Sequence, residues 1–243
     1  MGPGPIICLG LVLLTSGAGH ASGCFGGQPD MLPRPAATDL PANTQVRIAV
    51  RDVMSVAWFG PDGRAVRFGE RKVGRGPSTA RVLTPDAELA RGAHTLRTTD
   101  PDMDFQFEVA GPLDRTPPTL HGSLALEGYF APEADSSCPT NIWISMSVPV
   151  PQDDNTADGA FSYLVFLGRG RQGSWHDADL LVHAESVADG WARFRIGETG
   201  CGCIARAELR RCTRYRVTLV AVDAAGNLSP QSLSGEVTIP GCA

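Results

Sequence analysis

The sequence predicts an all-β protein built from two tandem antiparallel β-sandwich domains. Three observations support this. Apolar residues recur at every second position in several short runs. Glycine and proline clusters separate those runs. No stretch carries a sustained helical period.

The runs follow in chain order. In "TQVRIAV", Val46, Ile48 and Val50 share one face. "FQFEV" repeats the alternation near the end of the first half. In "NIWISMSV", Ile142, Ile144, Met146 and Val148 oppose Trp143, Ser145 and Ser147. In "WARFRIG", Ala192, Phe194 and Ile196 oppose Trp191, Arg193 and Arg195. "RYRVTLVAV" places Tyr215, Val217, Leu219 and Ala221 on one face, and "SGEVTIP" closes the series. Half-buried strands at this spacing predict sandwiches. "GPLDRTPPTL" is the expected boundary. Pro112, Pro117 and Pro118 fix φ and remove backbone donors, so the segment is extended and lies outside any central sheet. The expected domains are 24–112 and 113–243, after a targeting segment at 1–23.

That segment is a short apolar run, "IICLGLVLL", followed by the small residues "TSGAGHASGC". The run is too short to span a bilayer and has the layout of a secretory signal. Two processing routes fit it. Cleavage after Ala18 or Ala21 would release a soluble protein. "ASGC" also resembles a bacterial lipobox, which would make Cys24 the lipidated first residue. The expected location is therefore exported: outer-membrane-anchored, periplasmic or secreted. The membrane enters only through a lipid on Cys24.

The chain has 243 residues and a formal net charge of −5. That balance argues against a nucleic-acid partner, which would want a basic face.

The second half strongly resembles the fibronectin type III family over residues 114 to 240. "DRTPP" opens it. Leu209, Thr213, Tyr215 and Val217 form L-x-x-x-T-x-Y-x-V, and "DAAGN" supplies the following turn through Asp223, Gly226 and Asn227. Tyr215 stands where a tyrosine-corner hydroxyl bonds the preceding chain. The first half, over about 33 to 110, resembles bacterial Ig-like domains of the SbsA type. "LPRPAATDLPANTQVRIAV" and "VLTPDAELARGAHTLRT" carry that resemblance. Both imply a non-enzymatic binding or spacer protein that presents loops, 149 to 160 and 223 to 227 first among them. A second expectation is an accessory module that binds carbohydrate or matrix.

Six cysteines follow the signal: Cys24, Cys138, Cys201, Cys203, Cys212 and Cys242. An exported chain makes disulfides the default. The fibronectin type III resemblance implies that Cys138, Cys201, Cys203, Cys212 and Cys242 gather at the pole far from the first domain. Five is odd, so lipidation of Cys24 would leave one free thiol there. A four-cysteine zinc site is the alternative. No C-x-x-C redox motif occurs.

Catalytic and metal signals are weak. Asp100, Asp102 and Asp104 alternate, and Asp153, Asp154, Asn155 and Asp158 precede Gly159, but neither set has EF-hand spacing. Solvated acidic loops that do not meet are expected, with no metal and no cofactor. His94, His121, His176 and His183 are scattered, and His176 with Asp177 lacks a nucleophile. No catalytic residue is expected. Trp191, Arg193 and Arg195 should share an outward face, and Trp143 should lie opposite its own strand's aliphatic stripe. They are the candidates for a protein or glycan ligand, the alternative being that one of those faces packs on the opposite sheet.

Overall fold

The computed structural model describes residues 30–49, 55–75, 79–99, 102–131, 141–156, 160–168, 174–198 and 205–242. These residues form β-strands and no helix. The expected pair of tandem sandwiches is not what they build. Four small sheets lie as four blades, each packed on the next, with three cores between them.

Sheet 1 has the order β3-β6-β7 (β3 Val56–Phe59, β6 Gly92–Thr99, β7 Asp102–Val109). Sheet 2 is β1-β2-β5-β4 (β1 Asp30–Leu32, β2 Val46–Ala49, β5 Ala80–Pro85, β4 Phe68–Val73). Sheet 3 is β11-β10-β15-β16 (β11 Leu180–His183, β10 Ser162–Leu167, β15 Arg214–Val222, β16 Leu228–Thr238). Sheet 4 is β12-β13-β9-β8 (β12 Ser186–Ala188, β13 Trp191–Glu198, β9 Asn141–Pro149, β8 Ala125–Ala131), with β14 (Ala205–Arg206) pairing parallel to β13.

Each core follows from alternation. Val46 and Ile48 of β2 meet Trp58, Leu96 and Phe107 between sheets 1 and 2. Ile144, Met146, Phe194 and Ile196 meet Tyr163, Val165, Val217 and Leu219 between sheets 3 and 4. The third core overturns the tandem arrangement. Val73, Ala80 and Val82 leave the opposite face of sheet 2 and pack on Leu164, Phe166, Leu181, Val220 and Val222 of sheet 3.

The physical reason is in the strands of sheet 3. β10, "SYLVFL", is buried at every position from Ser162 to Phe166, and β15 is buried from Val217 to Val222. Continuous apolar runs of this kind belong to strands covered on both faces. The alternation of Val217, Leu219 and Ala221 accounts for one face only. Val220 and Val222 cover the other.

Two segments outside the alternating runs also join the sheets. Within 127–141, residues through Ala131 belong to β8 and pair with β9. Within 197–212, Ala205 and Arg206 extend sheet 4. Gly197 makes the β9–β13 approach possible. Its φ is +146°, and a Cβ there would sit 2.1 Å from the Ile142 carbonyl oxygen.

One charged side chain crosses the middle interface. Arg47 points away from Val46 and Ile48, toward sheet 3, and is fully buried. It donates through Nη1 to Ser162 Oγ at 2.9 Å and through Nη2 to the Asp223 carbonyl oxygen. Ser162 also contacts His183 Nδ1 at 3.0 Å. Burial lowers the guanidinium pKa to about 10, so it stays charged at neutral pH. Arg71, on the same face of sheet 2, lies 4.2 Å above the Trp175 ring.

Truncation here should be costly. Arg47→Ala removes buried volume and strips partners from Ser162 and Asp223. We expect a loss of about 3–5 kcal/mol in chemical denaturation. Arg47→Met should lose clearly less, because an apolar chain refills the space without a buried charge. Equal losses in the two variants would contradict this account of the interface.

Candidate functional site

Three groups of polar or aromatic residues are candidates. The first is the sealed set around Arg47. Arg47 and Ser162 are fully buried and His183 is 3% exposed. A serine beside a histidine suggests nucleophilic chemistry, but a substrate has no approach to it. Arg47 donates to the serine oxygen, which leaves the hydroxyl hydrogen for His183 Nδ1. The set is a structural clamp. His176 and Asp177 do not form a pair either. His176 is exposed, and Asp177 accepts the Ser174 hydroxyl at 2.8 Å.

The second group lies at the junction between the halves. Asp114 of the "DRTPP" segment is buried, and its main chain is held by Asn43. The Asp114 amide donates to Asn43 Oδ1 at 2.9 Å, and Asn43 Nδ2 donates to the Asp114 carbonyl at 2.6 Å. A ladder bridge between Thr119 and Gln152 brings loop 150–156 alongside. Asp153 and Asp154 thereby meet Asp114, one oxygen from each lying within 4.8 Å of the others. The acidic residues from 153 onward were expected as a solvated loop that does not meet Asp100, Asp102 and Asp104. Asp153 is instead half-buried, and it and Asp154 meet Asp114 of the segment that opens the second half. Burial, then the neighbouring Asp114 and Asp154, push the Asp153 carboxyl above its ordinary pKa.

The turn expected for display is inside this junction. Asp223, Ala224 and Ala225 are buried. Asp223 Oδ1 accepts the amides of Gly226 and Asn227 at 2.7 and 2.8 Å, and Oδ2 accepts Asn227 Nδ2 at 2.9 Å. The Ala224 carbonyl accepts the Gln45 amide, and its amide donates to Thr156 Oγ1. Gly226, at φ +93°, lies so close to Gln45 that a Cβ would clash. Residues 223–227 join the halves and are not a presented loop. Burial raises the Asp223 pKa to about 6, against the opposing pull of Asn227 and Arg47.

The third group is the outer face of sheet 4. Trp143, Trp191, Arg193 and Arg195 all stand on it, opposite their buried neighbours. Tyr129, which sequence reasoning missed, pairs across from Trp143, and the rings stack 3.9 Å apart at 17°. Its signal was the alternation of "LEGYF" against β9. Gly197 lies on the other side of Trp143, so no side chain covers the tryptophan there. Ser145 and Ser147 separate this aromatic station from Trp191, which pairs with Pro149. Six residues of strand put the stations about 20 Å apart. Arg195 forms an exposed ion pair with Glu185 at 3.0 Å.

At the far end, Cys212 and Cys242 form a disulfide. Cys24, Cys138, Cys201 and Cys203 lie outside the described residues, as do Asp100, Asp158 and the targeting segment. The Tyr215 hydroxyl accepts the Arg210 amide at 2.7 Å, beside buried Leu209 and with Thr213 Oγ1 donating to the Arg211 carbonyl.

No family model and no curated protein matches the chain. Among solved structures it is similar to the I9–I11 tandem from titin, at 9% identity and a TM-score of 0.24, over 87% of this chain and 66% of that one. It is similar to another titin Ig tandem at 13% identity and 0.23, over 88% and 95%. The tandem Ig repeats of Dlar match at 10% identity and 0.29, over 88% and 100%. Scores at this level assign neither a family nor an activity.

Two outcomes follow from the site. Between pH 4 and about 6 the folded Asp223 holds a proton that the unfolded chain has lost. Its contribution therefore falls as pH rises through that window. Asp223→Asn keeps an acceptor for the turn amides and should flatten thermal stability against pH there, relative to the unaltered protein. An unchanged difference across the window would remove Asp223 as the source. Cys212→Ser opens a loop of sequence separation 30. The expected outcome is a loss of roughly 2–4 kcal/mol in denaturant titration.

Proposed function

We propose that the chain is an exported, non-enzymatic binding and spacer protein whose ligand face is the outer face of sheet 4. One observation carries the reading. A stacked Tyr129–Trp143 pair and Trp191 stand at the two ends of one face, with serines and arginines between them. Flat aromatic surface offers a hydrophobic platform to a sugar ring, and hydroxyl and guanidinium groups supply the polar contacts. A separation of about 20 Å suits an extended ligand, so a polysaccharide fits better than a monosaccharide. Rigid strands, not loops, would hold the platform in place.

The reading as a spacer rests on the continuous packing of the four sheets. A chain whose halves share a core holds its binding face at a fixed distance from β1, the first described strand. Lipidation at Cys24 would make that distance a height above a membrane. The absence of catalysis is part of the proposal: among the described residues, the serine–histidine contact is sealed inside the fold.

The test is retention of the protein in native gels cast with a panel of soluble bacterial and plant polysaccharides. We expect retardation by at least one polymer. Tyr129→Ala and Trp143→Ala should each weaken it at least about tenfold, roughly 1.4 kcal/mol, and Trp191→Ala should weaken it on long polymers more than on short oligomers. Retardation that survives the Tyr129→Ala/Trp143→Ala double variant would sink the proposal, and so would no retardation by any polymer.

A further inference from the structure

We infer that Asp114, Asp153 and Asp154 form a divalent cation site, of calcium type, that ties loop 150–156 to the segment joining the two halves. The inference is independent of the polysaccharide reading, since the site and the outer face of sheet 4 share no residues.

An acidic cluster alone means little. What points to a ligand here is the state of the oxygens. Asp114 is 1% exposed, and its Oδ2 is buried without a hydrogen-bond partner. Its other oxygen is used by the Thr116 amide. Both carboxylate oxygens of Asp153 are likewise buried and accept no hydrogen bond of good geometry, the Thr156 hydroxyl and the Asp154 amide offsetting their burial only in part. Among the described residues, none of the three aspartates forms an ion pair with a lysine, arginine or histidine. Buried carboxylate oxygens without donors cost several kcal/mol each unless something compensates them. A cation does so at once for all three.

Geometry selects the kind of cation. The donors are all carboxylate oxygens, which suit hard ions such as Ca²⁺ and Mg²⁺ and disfavour zinc, whose sites draw on nitrogen and sulfur. Oxygens no more than 4.8 Å from one another lie at most about 2.8 Å from a common centre, so a small inward shift of the carboxylates brings all three to calcium–oxygen distances of about 2.3–2.6 Å. Magnesium binds at about 2.0–2.1 Å and would need any pair wider than about 4.2 Å to draw in. Asp154 is exposed, which leaves a side open for water ligands and for entry of the ion.

The position gives the ion a consequence. Asp114 is clamped by Asn43 from the first half and approached by Asn227 Nδ2 from the second. Asp153 and Asp154 belong to the loop that follows β9. Neutralising the three carboxylates would fasten this loop to the junction and stiffen the joint.

Thermal melts of the full exported protein, stripped with chelator and then given CaCl2 or MgCl2 at pH 7, test the site. With calcium near 1 mM, in the affinity range of extracellular modules, we expect Tm to rise by about 3–6 °C at roughly ten times Kd. Magnesium at the same concentration should raise it less. Asp153→Asn should abolish the calcium response, and Asp154→Asn, at an exposed position where folding is not at risk, should weaken it at least about tenfold in Kd. Equilibrium dialysis should return one calcium per chain. No bound calcium would overturn the inference, and so would binding that Asp154→Asn leaves unchanged or a magnesium response equal to calcium's.

Discussion

The structure depends on the burial of both faces of sheet 3. Its strands carry apolar side chains up and down, so it needs a partner on each side. Sheet 4 supplies one and sheet 2 the other. Since sheet 2 already packs on sheet 1, this requirement fixes the order of the four blades. Apolar burial at about 25 cal/mol per Å² favours contact without specifying register. Arg47 adds direction. Its guanidinium can be satisfied only where Ser162 and the Asp223 carbonyl stand together. A buried charge adds little net stability, and its value here lies in penalising a sheet 2 that slides on sheet 3.

The same contact explains why the junction is crowded with acid. Holding Asp223 inside the fold places its carboxylate near Arg47, and the turn it caps presses Ala224 into the core of the first half. Asp114 then has no room to face solvent. The junction therefore carries carboxylates whose ordinary escape, hydration, is closed. One of them, Asp223, is answered by amide donors and a nearby guanidinium. The others are left to one another.

The buried polar set and the outer aromatic face are separate in space. The polar residues most suggestive of chemistry are consumed in joining sheets 2 and 3, while the exposed aromatics lie on the outermost blade. Such a division suits a protein that holds a surface in place. The disulfide at Cys212–Cys242 secures the end of that half, beside the corner where Tyr215 holds the chain.

Alternation in "NIWISMSV" and "WARFRIG" was enough to place Trp143, Trp191, Arg193 and Arg195 outward, because a period of two leaves one face for each residue. Strand content and the tyrosine hydroxyl near residue 210 were legible for the same local reason. What lies against a face was not. "YLVFL" and "LVAV" show that both sides of a strand are apolar, but a string of residues does not say whether the second side meets another sheet of the same chain. Arg47 was invisible as a buried group, since an arginine between valine and isoleucine reads as the solvent side of a strand. Asp114 stands dozens of residues before the adjacent Asp153 and Asp154, and meets them only because the Thr119–Gln152 bridge and the Asn43 clamp bring their segments together. The sequence by itself determined the strands that alternate and which of their positions are apolar, since both are set by neighbours along the chain. Only the tertiary structure decided which faces meet and which charges are buried between them, because those depend on contacts between segments that local pattern does not encode.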